Sequence, residues 1–245
     1  MNISRLWQRA PITLLLILSF VGMMAYQWLV GVQIDDPSTR DLVRFGANFL
    51  PYSMTLEPWR LITSGFVHIG VLHLLFNSFA MYYFGQAGEL VLSPVRFLVM
   101  FLLSVIGGGL LSNYMTWQDI LAGGMPIVTA GASGGLMGIG AFLLILAVTR
   151  APVGMVFNTK SLAMVMGLNL LMGFAIDGIN NAGHIGGMIT GAILGLGLVI
   201  EKRQAVRLQS GRSYGFSYYW AVVALLAFAF TTAWWVLQGE VLAVV

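Results

Sequence analysis

The chain contains no cysteine, and only 9% of its 245 residues are charged. Without thiols there is no disulfide framework, no thiolate metal site and no cysteine nucleophile. So few charges exclude a water-soluble domain of this size, since about 25% is ordinary for one. Histidine is scarce too: His68, His73 and His184 are the only three. None has a carboxylate within a helical turn, and no HExxH run occurs, so a zinc site is not favoured and no metal or other cofactor is expected. The net charge of +3 carries no basic footprint for nucleic acid. Alternating apolar and polar residues are missing, which excludes a membrane β-barrel, and no internal repeat or low-complexity stretch is present.

What is abundant is apolar surface, at 58% of the chain. Seven hydrophobic segments run near residues 12–32, 68–86, 95–112, 132–148, 161–176, 182–200 and 218–237. Helix is the expected form of each, because a lipid-exposed backbone must satisfy its own hydrogen bonds. The fold class is therefore all-α, a polytopic membrane helical bundle. The first segment is too long for a secretory h-region and reads as a retained signal anchor.

Orientation follows from the basic residues. Arg5, Arg9, Arg96, Arg150, Lys160, Lys202, Arg203, Arg207 and Arg212 fall on one side, and only Arg40, Arg44 and Arg60 on the other. The positive-inside rule then puts the N-terminus in the cytoplasm. The first outer loop, 33–67, mixes charges with aromatics and is expected to lie in the headgroup region. Within it, Trp59-Arg60 reads as an interfacial anchor. The stretch 201–217 reads as a basic cytoplasmic loop facing anionic lipid.

In this topology spans 2, 4 and 6 start at the same outer level. His68 and His73 open span 2, Ser133 opens span 4 and His184 opens span 6. Ionisable groups inside spans point to function by default. Ser133 stands at a helix start, where free N–H groups and the positive end of the dipole favour a developing oxyanion. Gly131 with Gly135, and Gly134 with Gly138, leave this helix a face without side-chain thickness. Gly187, Gly191 and Gly195 do the same for span 6, as two successive GxxxG steps. Two such faces in contact would bring Ser133 to His184 as nucleophile and base, at about 3 Å.

His73 and Asn77 are four apart, hence on one helical face, and offer an imidazole N–H and an amide N–H to an oxyanion. An interhelical polar clamp is the plainer reading of that pair. No acid is placed to complete a triad: Asp177 is seven residues before His184 and fits a helix cap better than an orienting partner. Glu89, at the inner end of span 2, reads as a structural hydrogen-bond hub.

These residues resemble a rhomboid-family intramembrane serine protease. The resemblance is carried by Glu57-Pro-Trp-Arg60, by His68-x4-His73-x3-Asn77, by Gly131-Ala-Ser-Gly134 and by Gly183-His184-Ile-Gly-Gly187-x3-Gly191. It implies a rhomboid-like six-helix catalytic core over 1–200 and one extra C-terminal transmembrane helix over 218–245. It implies Ser133 as nucleophile, His184 as base, and His73, Asn77 and the Ser133 N–H as the oxyanion hole, with Gly131, Gly134, Gly187 and His68 in support. Substrates would be transmembrane segments of other membrane proteins, cut near the outer face of what is expected to be a bacterial inner membrane, with lipid as the remaining partner. Met137 stands where many relatives carry a tyrosine that packs on the base; its thioether is expected to contact the imidazole instead. Gly183 stands where alanine is common. Two other functions fit the composition: a transporter using the histidines and Asp177, and a pseudoprotease that binds membrane helices without cutting them.

Overall fold

The computed structural model describes residues 3–176, 178–207 and 217–244. Asp177 and Arg212, both weighed above, lie outside the described residues. A short helix α1 (Ile3–Arg9) leads into α2 (Pro11–Leu29), which starts with proline at its first turn, where the missing N–H costs nothing. The long loop that follows contains α3 (Thr39–Arg44), strand β1 (Asn48–Phe49), α4 (Leu50–Ser53) and α5 (Arg60–Thr63), closed by a 3-10 turn at Ser64–Phe66. Ser38 caps α3 by accepting from the Asp41 N–H.

Next come α6 (Val71–Ala80) and α7 (Gln86–Leu92), joined without a break by a π-helical turn at Met81–Gly85. Then follow α8 (Pro94–Leu121), strand β2 (Val128–Thr129), α9 (Ser133–Val148), α10 (Thr159–Ala175), α11 (Asn181–Arg207) and α12 (Tyr218–Leu242). Each apolar segment of the sequence thus falls mainly on helix, although the second begins at Val71 and leaves His68 in the turn before it, and the fold is an all-α membrane bundle. By length and composition α2, α8, α11 and α12 can each cross a membrane. Arg60–Phe66 and Val71–Leu92 pass the same test only as a pair, bent by 97°, as a broken span or a re-entrant loop would be. Helices α9 and α10 are shorter, at 16 and 17 residues. The chain is an integral multi-pass membrane protein.

Helix α9 is the axis of the bundle, buried along most of its length between α8 and α11. Glycine makes this possible. A Cβ on Gly187 or Gly191 would collide with the carbonyl oxygen of Gly134 or Gly138, and one on Gly186 with that of Gly107. Backbones therefore meet directly on both sides of α11, as the glycine spacing requires. Around them a main cluster of Phe20, Phe97, Phe101, Leu136, Phe142 and Leu194 fills the core.

Three features differ from the sequence expectation. The loop and the segment before α9 carry a short antiparallel pair, Asn48 with Thr129 and Phe49 with Val128, where no strand was expected. Helix α11 runs on to Arg207, so 201–207 is helix rather than loop; Glu201 there takes bonds from Arg96 at 2.7 Å and Ser217 at 2.6 Å, which gives the extra turn something to hold. Arg60 is not an interfacial anchor. It is buried, donating to Glu57 Oε2 and to the carbonyls of Val43 and Ala47, because a guanidinium can satisfy several acceptors of a folded loop at once. Glu89 is the hub expected of it, accepting from Ile12 N, Thr13 N and Thr13 Oγ1 at 2.8–2.9 Å.

Candidate active site

Ser133 is the first residue of α9 and partly buried. The chain reaches it through Gly131, whose φ of 124° is open to glycine and strained for other residues. The Gly131 N–H donates to the Ser64 carbonyl at 2.9 Å, which ties the approach to the helix back to the 3-10 turn. A cavity opens here, lined by Ser64, Thr129, Gly131, Ser133, Asn180 and Gly183 among others.

His184 lies in the first turn of α11 and is 5% exposed. Asn180 sets that turn: its side-chain oxygen accepts from the Gly183 N–H at 2.9 Å, as a helix cap does, and its carbonyl accepts from the His184 N–H at 3.1 Å. Its amide donates to Ser112 Oγ on α8 at 2.9 Å. The Gly183 carbonyl oxygen then stands where a Cβ on Gly108 would come within 2.6 Å of it, and one on Gly134 within 3.3 Å. Helices α9 and α11 thus touch at the residue after Ser133 and at the residue before His184. The Ser133 hydroxyl and the His184 ring are not hydrogen-bonded to each other in this state, and His184 Nδ1 has no partner among the described residues.

The polar face of α6 arrives from the other side. His73 Nδ1 accepts from the Ile69 N–H at 3.4 Å, so a neutral ring carries its hydrogen on Nε2. That nitrogen points to the approach to Ser133: a Cβ on Gly131 would lie 2.8 Å from His73 Nε2 and 3.7 Å from Asn77 Nδ2. Asn77 is buried, and its Nδ2 has no partner among the described residues. Two N–H donors, one imidazole and one amide, therefore converge on the same glycine two residues before Ser133. Such a pair can stabilise a carbonyl oxygen that gains negative charge.

His68 supports this face without joining it. Its Nδ1 is 3.2 Å from the Phe66 carbonyl, and its ring packs between Phe20, at 5.1 Å, and His73, at 5.2 Å. Met137 is buried with Ala141 and Met166, and Met188, one turn after His184, packs on that cluster. Among the described residues no three of histidine, aspartate and glutamate gather as metal ligands would.

Sequence reasoning missed Asn180 and Ser112, and it missed the polar cluster behind the cavity wall. There Asn48 and Asn113 exchange side-chain bonds of 2.9 and 3.1 Å, and Asn48 also donates to Thr129 Oγ1 at 3.1 Å. For Asn180 a signal existed, an asparagine three residues before the first buried glycine of α11. For Asn48 and Asn113, 65 residues apart, there was none.

The Rhomboid domain family model matches residues 55–201. The chain is 33% identical over 179 residues to Rhomboid protease GluP of Bacillus subtilis (strain 168), covering 73% of this chain and 33% of that protein. It is 29% identical over 208 residues to Rhomboid protease AarA of Providencia stuartii, with 77% and 73% covered. RHOMBOID-like protein 6, mitochondrial, of Arabidopsis thaliana is 30% identical over 171 residues, with 67% and 52% covered. The chain thus spans a third of the length of the first of these proteins and about half of the last.

Proposed function

Because the chain belongs to the rhomboid family, we propose that it is a serine endopeptidase that cuts transmembrane segments of other membrane proteins through a Ser133–His184 dyad. Ser133 Oγ attacks the peptide carbonyl while His184 takes its proton. The oxyanion receives hydrogen bonds from His73 Nε2, Asn77 Nδ2 and the Ser133 backbone N–H. Collapse of the tetrahedral intermediate sends the proton from His184 to the leaving amine, and water resolves the acyl-enzyme by the same steps. Every role is filled by a side chain or the backbone.

The observation that carries this reading is the convergence of the His73 and Asn77 donors on Gly131, beside a serine at the head of a helix. A polar clamp would leave no buried amide donor spare; Asn77 has one. The contact of Gly134 with Gly183 supports the dyad, because it holds the two helices at backbone distance next to both reacting residues. Nucleophile–base bonds are often long before substrate arrives and tighten in the complex.

Residues 1–200 form the catalytic unit, 201–217 join it to the added helix, and 218–245 supply that helix. The N-terminus faces the cytoplasm and the cavity opens to the outer side of a bacterial inner membrane, as the distribution of arginine and lysine supports. The partners are transmembrane-helix proteins and lipid.

A non-cleaving helix binder is favoured by one observation, the absence of a Ser133–His184 hydrogen bond. Purified protein in lipid, given a helical transmembrane substrate and a serine-reactive phosphonate, separates the two. Cleavage and labelling at Ser133 are expected, with both lost in Ser133→Ala and cleavage lost in His184→Ala. Folded protein that does neither is a binder.

A further inference from the structure

Helix α12 lies beyond the region shared with the family, residues 55–201, yet both of its ends are bonded to that region. At one end the Tyr219 hydroxyl donates to the Arg96 carbonyl at 2.6 Å, and Ser217 joins the Arg96–Glu201 ion pair. These bonds seat the helix. The other end does something more specific.

There Trp234 Nε1 donates to the carbonyl of Ser53 at 2.8 Å and Gln238 Nε2 to that of Thr55 at 3.2 Å. Glu240 accepts from Trp117 Nε1 on α8 at 3.0 Å. Leu237 and Val241 are buried with Leu50, Met54 and Trp117 in a cluster separate from the main core. The added helix thus grips α4 and the turn just after it, within the long loop, by two polar bonds and an apolar seat.

From Ser53 the bonds continue inward. Its hydroxyl donates to Asn48 Oδ1 at 2.6 Å, and the Asn48 amide donates to Asn113 and to Thr129 Oγ1. Asn48 and Thr129 are also partners across β1 and β2. Thr129 lines the cavity, and the chain runs from it through Gly131 to Ser133. Hydrogen bonds through Ser53 and Asn48, buried between those two and part-buried at either end, therefore join Trp234 to the cavity wall.

We propose that α12 is a positioning element for substrate: through Trp234, Ser53 and Asn48 it holds the Thr129 rim at the spacing that an extended substrate backbone needs to reach Ser133. This rests on the protease reading above. The bonds touch neither Ser133 nor His184, so the effect falls on how substrate is seated. Coupling between separated sites is carried by packed side chains and hydrogen-bond networks of this kind.

The test uses the full chain in lipid, with Trp234→Phe and Gln238→Leu, which remove the two donors and keep an apolar side chain in each place. Both are expected to raise KM for a helical substrate about three- to tenfold while kcat changes by less than about twofold. The rate of Ser133 labelling by a small phosphonate should stay at the wild-type level. Amide hydrogen exchange at 48–49 and 128–129 should quicken, and this readout needs no catalysis. Wild-type KM with wild-type exchange overturns the proposal. So does a loss of labelling and cleavage together in step with a lower Tm, which makes α12 a brace only. If the wild type neither cuts nor labels while exchange still responds, the protease reading fails and the coupling of α12 to the rim stands.

Discussion

Gly187 rests its backbone on the carbonyl of Gly134, with no space between them for a methyl group. One of these residues follows Ser133 and the other lies three beyond His184, so the contact sets the distance between the proposed reacting groups. Gly187→Ala must push backbone against backbone, where overpacking costs about 1–3 kcal/mol. A lower Tm in lipid and at least about a tenfold fall in cleavage are expected, since small misplacements are costly in catalysis. Gly22→Ala, in open space within α2, is the control and should lower neither.

The two donors beside Gly131 make a second prediction. His73→Ala and Asn77→Ala should each lower kcat by about 10²–10³, the cost of about 2.7–4 kcal/mol seen for one oxyanion donor. Tm should move little for Asn77→Ala, because its Nδ2 has no partner among the described residues to lose. Steady-state cleavage and thermal unfolding of the same samples check this; unchanged kcat in both variants removes them from the oxyanion hole.

Glu89 is predicted to matter for stability alone. Its carboxylate takes three bonds from the start of α2. Glu89→Gln keeps one acceptor oxygen and should destabilise by about 1–3 kcal/mol, with Glu89→Ala worse. Denaturation in mixed micelles measures it, and KM should stay at the wild-type value.

Arg60→Lys is the fourth case. A lysine carries the charge, but one ammonium cannot stand both where Nη1 meets the Val43 and Ala47 carbonyls and where Nε meets Glu57. Faster amide exchange over 43–49 and a lower Tm are expected. A lysine variant with full protection would mean that charge alone holds the loop.

Much of this architecture was legible from residue order. The four-residue spacing of Gly187 and Gly191 announced a bare face, and Gly134 with Gly138 announced its mate; the two meet as that spacing requires. Glu89 stood out because a carboxylate inside an apolar run needs donors nearby. Helix α8 was harder. Its apolar run stops at Ser112, yet the helix continues through Asn113, Thr116 and Trp117 to Leu121. Asn113, Ser112 and Trp117 find partners in Asn48, Asn180 and Glu240, which belong to remote parts of the chain and show no periodicity. Arg60 was misread for the same reason, since its acceptors are backbone carbonyls that only the folded loop brings together.

The brevity of α9 and α10 has a consequence for the surrounding lipid. At about 1.5 Å per residue, the 16 residues of α9 and the 17 of α10 reach about 24 and 26 Å, against a hydrocarbon slab of about 30 Å. Neighbouring helices sheathe α9 and make up its shortfall. For α10, whose Met164, Leu168, Leu171 and Phe174 face outward, acyl chains must close the gap. Beside it the leaflets are drawn toward each other, and lengthening those chains raises the energy of mismatch at that one wall of the molecule.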